Sequence, residues 1–545
     1  MKSKSTENVA TEQSATAKMV AGSAWMTAGT ITSRLLGAIY VIPWVTWMGV
    51  YSDQANALYA KGYNIYSYLL ILASAGIPSA ISQMVGDYNG RGQYLTSRRL
   101  YRSALYFSLL TGILFAGFMY LGAPWLSQGD ANLVPVLRSL AWAVLLIPAM
   151  SISRGYLQGY NWMAPSALSQ FIEQLLRVIY MLAATFMIMK VAHGHWQAAT
   201  MQSTFAAFVG AVGSCAVLIY VEWRQRKYLA NLSAQSQNDP EISTVKLIRK
   251  IVYRSIPFII IESAIVLFQL FDQYTFKPVM NQIGHFTTLQ IDTLYALFAF
   301  NTNKIYMIIV SLATAMAVTA IPLLANARAR NNLAEIQQQI EKATLLFASI
   351  MMPASLGLAA VAQPVYTVFY RYSEAGTTLM AFAAFMSIPY GLYNIGAAMM
   401  QGISENRRMM TYLGIGIVIK MVLQYPAIKY FTAVGPLLAT AVAMLIVLVL
   451  VYHHFSHAYG VQLGLMVNPL NKIISASLVM YVIVRALVAL IYVWLNPAGR
   501  YLAFFALIPA VGIGALVFVI LVLKNGVAEE VLGLRVQGLK RKLHL

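Results

Sequence analysis

Runs of about 20 apolar residues, the length a helix needs to cross a hydrocarbon core, recur about fourteen times along the chain. Their approximate centres are Leu36, Ile71, Leu110, Leu145, Leu175, Val212, Ile261, Ile308, Phe347, Met386, Val418, Leu445, Val482 and Val511. Strands of a membrane barrel would be shorter and would alternate apolar with polar positions, so the pattern predicts helices. The fold expected is an all-α polytopic membrane protein of about 14 transmembrane helices.

The pattern also repeats. In the first half Ile147-Pro148 precedes Gln158-Gly159 and Arg177 follows in the next apolar run; in the second, Ile388-Pro389 precedes Gln401-Gly402 and Lys420 takes the place of Arg177. A weaker echo sets Lys18, Val20 and Ser23 against Lys250, Val252 and Ser255. Internal repeats with charge at membrane depth point to a transporter whose site lies between its halves. The organisation expected is a disordered cytoplasmic tail over 1–18, a first lobe of six spans over 19–228, and a cytoplasmic linker over 229–249. A second six-span lobe follows over 250–456, and 457–545 holds two further spans and a basic cytoplasmic tail.

Composition excludes a water-soluble globule, since 59% of the residues are hydrophobic and only 10% charged. The formal charge of +20 is explained by topology. With the amino terminus placed inside, about 26 of the 38 Lys and Arg fall in or beside inner segments, so both termini are expected in the cytoplasm. No recognition motif accompanies the charge, so a nucleic-acid partner is not expected. Cys215 is the only cysteine, which leaves no internal disulfide and no cysteine-rich metal site. There is no Walker sequence and no histidine pair with metal-ligand spacing inside a span, so neither ATP hydrolysis nor a resident metal is expected.

The informative chemistry is the charge left inside the spans. Arg34, Lys61, Arg138, Arg154, Arg177, Lys304, Lys420 and Arg485 lie in or at the edges of apolar runs, against Glu173, Glu262 and Asp272. A charge at a helix centre costs about 2.5–3.5 kcal/mol, so such groups face a bundle interior or a wet cavity unless they snorkel from a span end, as Lys61, Arg138 and Arg485 can. Arg34 sits well inside its span, in Ser33-Arg34-Leu35-Leu36-Gly37. It either presents a cation to an anionic substrate or pairs with a carboxylate such as Glu262. Lys304 is the corresponding candidate in the second half, or an edge anchor. Both cations suit phosphate, Arg through its planar fork and Lys as a point charge. Glu173 and Arg177, four residues apart on one predicted helix, can pair along its face. Lys420 faces Gly416 where Arg177 faces Glu173, so it lacks that partner and reads as a bundle-interior or cavity group. Arg154, like Glu173, Arg177, Lys420 and Lys61, reads as a structural or cavity charge. Acidity around Glu262 and Asp272 suggests an ion site.

Ser33-Arg34-Leu35-Leu36-Gly37, the run Arg154-Gly155-Tyr156-Leu157-Gln158-Gly159, the Gln174-to-Arg177 stretch and the span count together resemble the multidrug/oligosaccharidyl-lipid/polysaccharide flippase superfamily. The chain is most similar to the MurJ-type lipid II flippases of Gram-positive bacteria, usually labelled polysaccharide biosynthesis proteins. The resemblance implies two six-helix lobes with two added carboxyl-terminal helices and alternating access. It also implies a cavity lined by the first, second, seventh and eighth spans, which puts Arg34, Glu262 and Lys304 there as substrate-binding residues. Arg34 matches the functionally important Arg of the Ser-Arg-x-Leu-Gly run, whereas Tyr40-Val41 stands where Gram-negative relatives carry Arg-Asp. The function implied is translocation of undecaprenyl-pyrophosphate-linked peptidoglycan precursor across the cytoplasmic membrane, with an ion gradient or membrane potential as driving force and no cofactor. Membrane lipids and cell-wall synthesis proteins are the partners implied. A flippase for another lipid-linked glycan, a cation-coupled drug exporter and a non-transporting scaffold are the rival expectations.

Overall fold

A computed structural model describes residues 36–37, 39–74, 76–236, 243–526 and 529. Arg34, the polar tail over 1–18, the Lys18 echo and the basic carboxyl-terminal residues lie outside the described residues. The helices, in order, are α1 (Val41–Met48), α2 (Ser52–Ser74), α3 (Ile77–Gly90), α4 (Tyr94–Leu121), the short α5 (Ala123–Leu126), α6 (Leu133–Gly159), α7 (Met163–Phe186), α8 (Trp196–Arg224) and α9 (Arg226–Ala234). They continue as α10 (Thr244–Ile283), α11 (Thr288–Ala296), α12 (Asn303–Ala329), α13 (Leu333–Ala360), α14 (Ala362–Phe369), α15 (Glu374–Gly402), α16 (Asn406–Phe431), α17 (Gly435–Tyr459), α18 (Leu463–Trp494) and α19 (Arg500–Lys524). No strand occurs among the described residues.

The protein is an all-α polytopic membrane protein, as its apolar runs predict. Eleven described stretches are long and apolar enough to cross a membrane, and one of these, Asn406–Tyr459, contains both α16 and α17. The second expected span, near Ile71, is more polar and is divided into α2 and α3. Between them Gly76 adopts φ +70° and Pro78 sits in the first turn of α3, where its missing N–H leaves nothing unpaired. A side chain at Gly76 would be strained by that φ, and its Cβ would also lie 2.7 Å from Cβ of Phe258.

Packing divides the chain into two compact units, with the division between Leu267 and Phe268, inside α10. In the first unit α6 is the central helix, touching α2, α3, α4 and α8, while α7 lies along α8. In the second, α12 packs on α13 and α15, α16 on α17, and α18 on α13 and α19. Trp44, Phe268, Phe300, Phe347 and Tyr390 are fully or almost fully buried, whereas Leu110, Leu114, Val422, Val449, Val493 and Leu516 stand exposed on helix faces. Such exposed apolar rows are unfavourable in water and suit contact with lipid tails.

Small residues let helices approach closely, since packing rather than water expulsion holds helices together in lipid. Gly155, in the repeated region of α6, is among the tightest examples in the first unit that involve backbone on both sides. A Cβ there would lie 2.5 Å from the carbonyl oxygen of Pro78 and 2.9 Å from its Cα, neither of which can rotate away. Gly155→Val is expected to destabilise the protein by about 1–3 kcal/mol through overpacking. A lower melting temperature of the purified protein checks this, and a wild-type melting curve would refute it.

Candidate functional site

Pro148 and Pro389 occupy the interiors of α6 and α15, so the repeat seen in sequence is carried by a pair of proline-containing helices. Downstream of each lies a basic residue whose surroundings differ between the two units.

In the first unit a polar seam joins α6, α7 and α8. Arg154 on α6 donates from Nε to Oγ of Ser169 at 2.8 Å, and from Nη2 to Oε2 of Glu173 at 2.7 Å and to Oγ of Ser214 at 2.8 Å. Ser166, Ser169, Glu173 and Arg177 fall on one face of α7 by helical spacing, which is why one helix supplies so much of the seam. Nearby, the Tyr101 hydroxyl donates to Oε1 of Glu222 at 2.6 Å, and Gln158 donates to Ser166 at 2.9 Å. The expected pairing of Glu173 with Arg177 along α7 does not form. Glu173 turns to Arg154 instead, because a guanidinium reaching across from α6 can satisfy the carboxylate and two hydroxyls together.

Arg177 bonds the hydroxyl of Tyr63 on α2, with its guanidinium 5.0 Å from the centroid of that ring. Tyr63 stacks on Tyr59 at 5.2 Å and tilts against Tyr66 at 5.1 Å, while Tyr59 meets Trp44 edge-on at 6.1 Å. This tyrosine cluster was not among the residues that charge alone singles out. Its signal in the sequence is the spacing of Tyr59, Tyr63 and Tyr66, which puts three phenol rings on one face of α2.

Lys61 pairs with Asp130 at 3.3 Å, both partly exposed. Arg138 is exposed and rests over the ring of Tyr120, 5.2 Å from its centroid. Arg138 is the charged member of the lining of a cavity of about 460 Å³, formed in part by Tyr120, Trp142, Tyr180, Gln202 and Phe205.

The second unit treats its repeated cation differently. Lys420 on α16 has none of its surface exposed. Its ammonium donates to Oδ1 of Asp272 on α10 at 2.6 Å, to the carbonyl of Pro436 at 2.8 Å and to Oγ1 of Thr440 on α17 at 2.7 Å. Three protons thus meet three acceptors. Gln424, one turn on, donates to the same Asp272 oxygen at 2.9 Å and to Oγ1 of Thr275 at 2.9 Å. Lys420 is therefore a bundle-interior group and not a cavity group, and the carboxylate that neutralises it comes from a helix far back in sequence. Gly416 holds the place of Glu173, and a Cβ there would lie 2.6 Å from Cγ2 of Val447.

Lys304 begins α12, just after a π-helical turn over Leu297–Thr302, with its ammonium 5.4 Å from the centroid of the Phe300 ring. Asn301 in that turn donates to the Tyr366 hydroxyl at 2.9 Å, and its carbonyl accepts from Tyr370 at 3.0 Å, which satisfies backbone and side chain where the regular ladder is interrupted. Glu262 is exposed on α10 and makes no ion pair among the described residues. No group of three or more His, Cys, Asp or Glu placed to hold a metal ion occurs among the described residues.

A sequence model of the family described as polysaccharide biosynthesis protein matches residues 19–328. The chain is 31% identical over 544 residues to the lipid II flippase MurJ of Bacillus subtilis (strain 168), which covers 96% of this chain and 98% of that relative. Among solved structures, a lipid II flippase MurJ in an inward closed conformation superposes with a TM-score of 0.58 at 14% identity, covering 91% of this chain and 97% of the other. An inward-facing multidrug resistance MATE family transporter of the MOP superfamily gives 0.60 at 14% identity, over 78% of this chain and 95% of the other. At that identity the structural likeness speaks for the fold alone.

Proposed function

Because the chain belongs to the polysaccharide biosynthesis protein family, we propose that it is a flippase that carries lipid II, the undecaprenyl-pyrophosphate-linked peptidoglycan precursor, from the inner to the outer leaflet of the cytoplasmic membrane. The observation that carries the reading is the 31% identity to a lipid II flippase along nearly the whole of both chains. Charge supports it: the ionisable groups at membrane depth are mostly cationic, as a pyrophosphate headgroup requires and a cationic drug does not. Arg34, Lys304 and Glu262 are the proposed cavity residues, with the two cations meeting phosphate oxygens. Both termini lie in the cytoplasm by the distribution of Lys and Arg. The chain itself acts as a transporter and not as an enzyme. An ion gradient or the membrane potential drives the cycle, since moving one charge is worth about 2.3 kcal/mol per 100 mV.

Depletion of the protein in its host is the test. Lipid II accessible at the outer leaflet is expected to fall while total lipid II accumulates, with rescue by the wild-type gene and not by Arg34→Ala inserted at equal level. Unchanged outer-leaflet lipid II together with loss of a dispensable surface glycan would instead assign the chain to another lipid-linked oligosaccharide. Normal rescue by Arg34→Ala would remove that residue from the site.

A further inference from the structure

The repeated cations Arg177 and Lys420 hold equivalent places in the two halves, yet their charge is balanced in different ways. Lys420 is sealed and neutralised by Asp272. Arg177 is only partly buried, and among the described residues no carboxylate lies within ion-pair distance of it. Its one hydrogen-bond partner there is the neutral phenol of Tyr63, with Tyr59 and Tyr66 within electrostatic reach.

The sequence explains the difference. The register that sets Lys18 against Lys250 and Ser23 against Ser255 also sets Tyr40 against Asp272. Tyr40 is buried and lies within electrostatic reach of Arg177, so a phenol stands in the first unit where the second has its neutralising acid. The other nearby acid, Glu173, is engaged by Arg154 at 2.7 Å. A guanidinium in an apolar span with aromatic faces and hydroxyls around it, and no resident anion, is completed by an anion from outside.

We propose that Arg177, oriented by Tyr63, is an anion-binding residue of the first unit that takes the diphosphate of a lipid-linked substrate, an inference that rests on the flippase reading above. The planar fork matches two oxygens of one phosphate. Lys420 has no such role, because every proton of its ammonium is already committed inside the bundle.

The test uses the full chain in nanodiscs of phosphatidylcholine, titrated with undecaprenyl pyrophosphate, with uncharged undecaprenol, and with phosphatidylglycerol as a source of phosphate that carries no diphosphate. Wild type is expected to bind undecaprenyl pyrophosphate more tightly than either of the others. Arg177→Gln is expected to weaken that binding by about tenfold or more while leaving undecaprenol unchanged, and Arg177→Lys, which keeps the charge and loses the fork, by a smaller factor. Should Arg177→Gln fail to fold, Arg177→Lys and Tyr63→Phe carry the measurement, both being expected to weaken diphosphate binding selectively. Equal diphosphate affinity in wild type and folded Arg177 variants overturns the inference and leaves the flippase reading standing. So does a loss confined to phosphatidylglycerol. Absence of diphosphate binding by wild type itself would count against the flippase reading.

Discussion

Lys420→Met is expected to destabilise the protein by about 3–5 kcal/mol, because it removes one member of a buried ion pair and leaves the other charged. Asp272 would keep its bond from Gln424 at 2.9 Å and lose the ammonium at 2.6 Å. Pro436 and Thr440 would lose their shared donor as well, so one substitution disturbs α10, α16 and α17 together. The methionine side chain fills similar volume, which isolates the electrostatic loss from a cavity. Adding Asp272→Asn is expected to restore most of the loss, since a buried pair replaced as a unit by neutral groups is often close to break-even, and the new amide oxygen can still accept from Gln424. Asp272→Asn alone leaves the ammonium with acceptors but no counter-charge, and should be intermediate. Melting temperatures of the four purified proteins in one detergent measure the cycle. Single variants as stable as wild type would mean that Lys420 is solvated in a way its zero exposure does not allow.

Apolar run length reads the long helices and not the short α5, α9, α11 and α14. Thirteen of the fourteen centres read from apolar runs fall in a described helix, from Ile71 in α2 to Val511 in α19, and Leu36 precedes α1. The break between α2 and α3 shows in the sequence only as Gly76 and Pro78 in an otherwise largely apolar stretch, because local composition does not say whether such a pair kinks a helix or ends it. The cost of leaving charge in lipid singles out Lys420 and Arg154 as structural or cavity charges without deciding between the two. It could not name their partners. Asp272 and Lys420 lie on helices separated by much of the second unit, and which of several acids reaches a given cation depends on helix rotation and contact that no local rule encodes. The one local rule that did apply, pairing at four residues along a helix, favoured Glu173 with Arg177 and lost to a contact between helices. Exposed pairs of that kind contribute only about 0.2–0.5 kcal/mol, less than a multidentate guanidinium with three acceptors. The tyrosine cluster around Arg177 escapes a reading by charge because phenols carry none, although the spacing of Tyr59, Tyr63 and Tyr66 on α2 marks it.

Arg154→Met is expected to cost about 2–3 kcal/mol, somewhat less than Lys420→Met, since the pair it breaks is partly exposed, at 12% for Arg154 and 20% for Glu173. The more telling consequence is where the freed carboxylate goes. Glu173 would be left with Arg177 four residues along its own helix as the basic group within reach, and rotation toward it restores an ion pair without moving the backbone. Arg177 would then be neutralised from within, as Lys420 already is by Asp272. Arg154→Met should therefore weaken diphosphate binding in the nanodisc titration although Arg154 is not proposed to touch substrate. Combining it with Glu173→Gln removes the competing anion and should return binding toward wild type while the protein stays less stable, so that stability and binding separate. If the double variant binds no better than Arg154→Met, the loss comes from disturbed packing of α6, α7 and α8, and the idea that Arg154 keeps Glu173 away from Arg177 is wrong. If binding returns, the first unit holds its carboxylate on one arginine in order to leave the next one charged, an arrangement the second unit lacks.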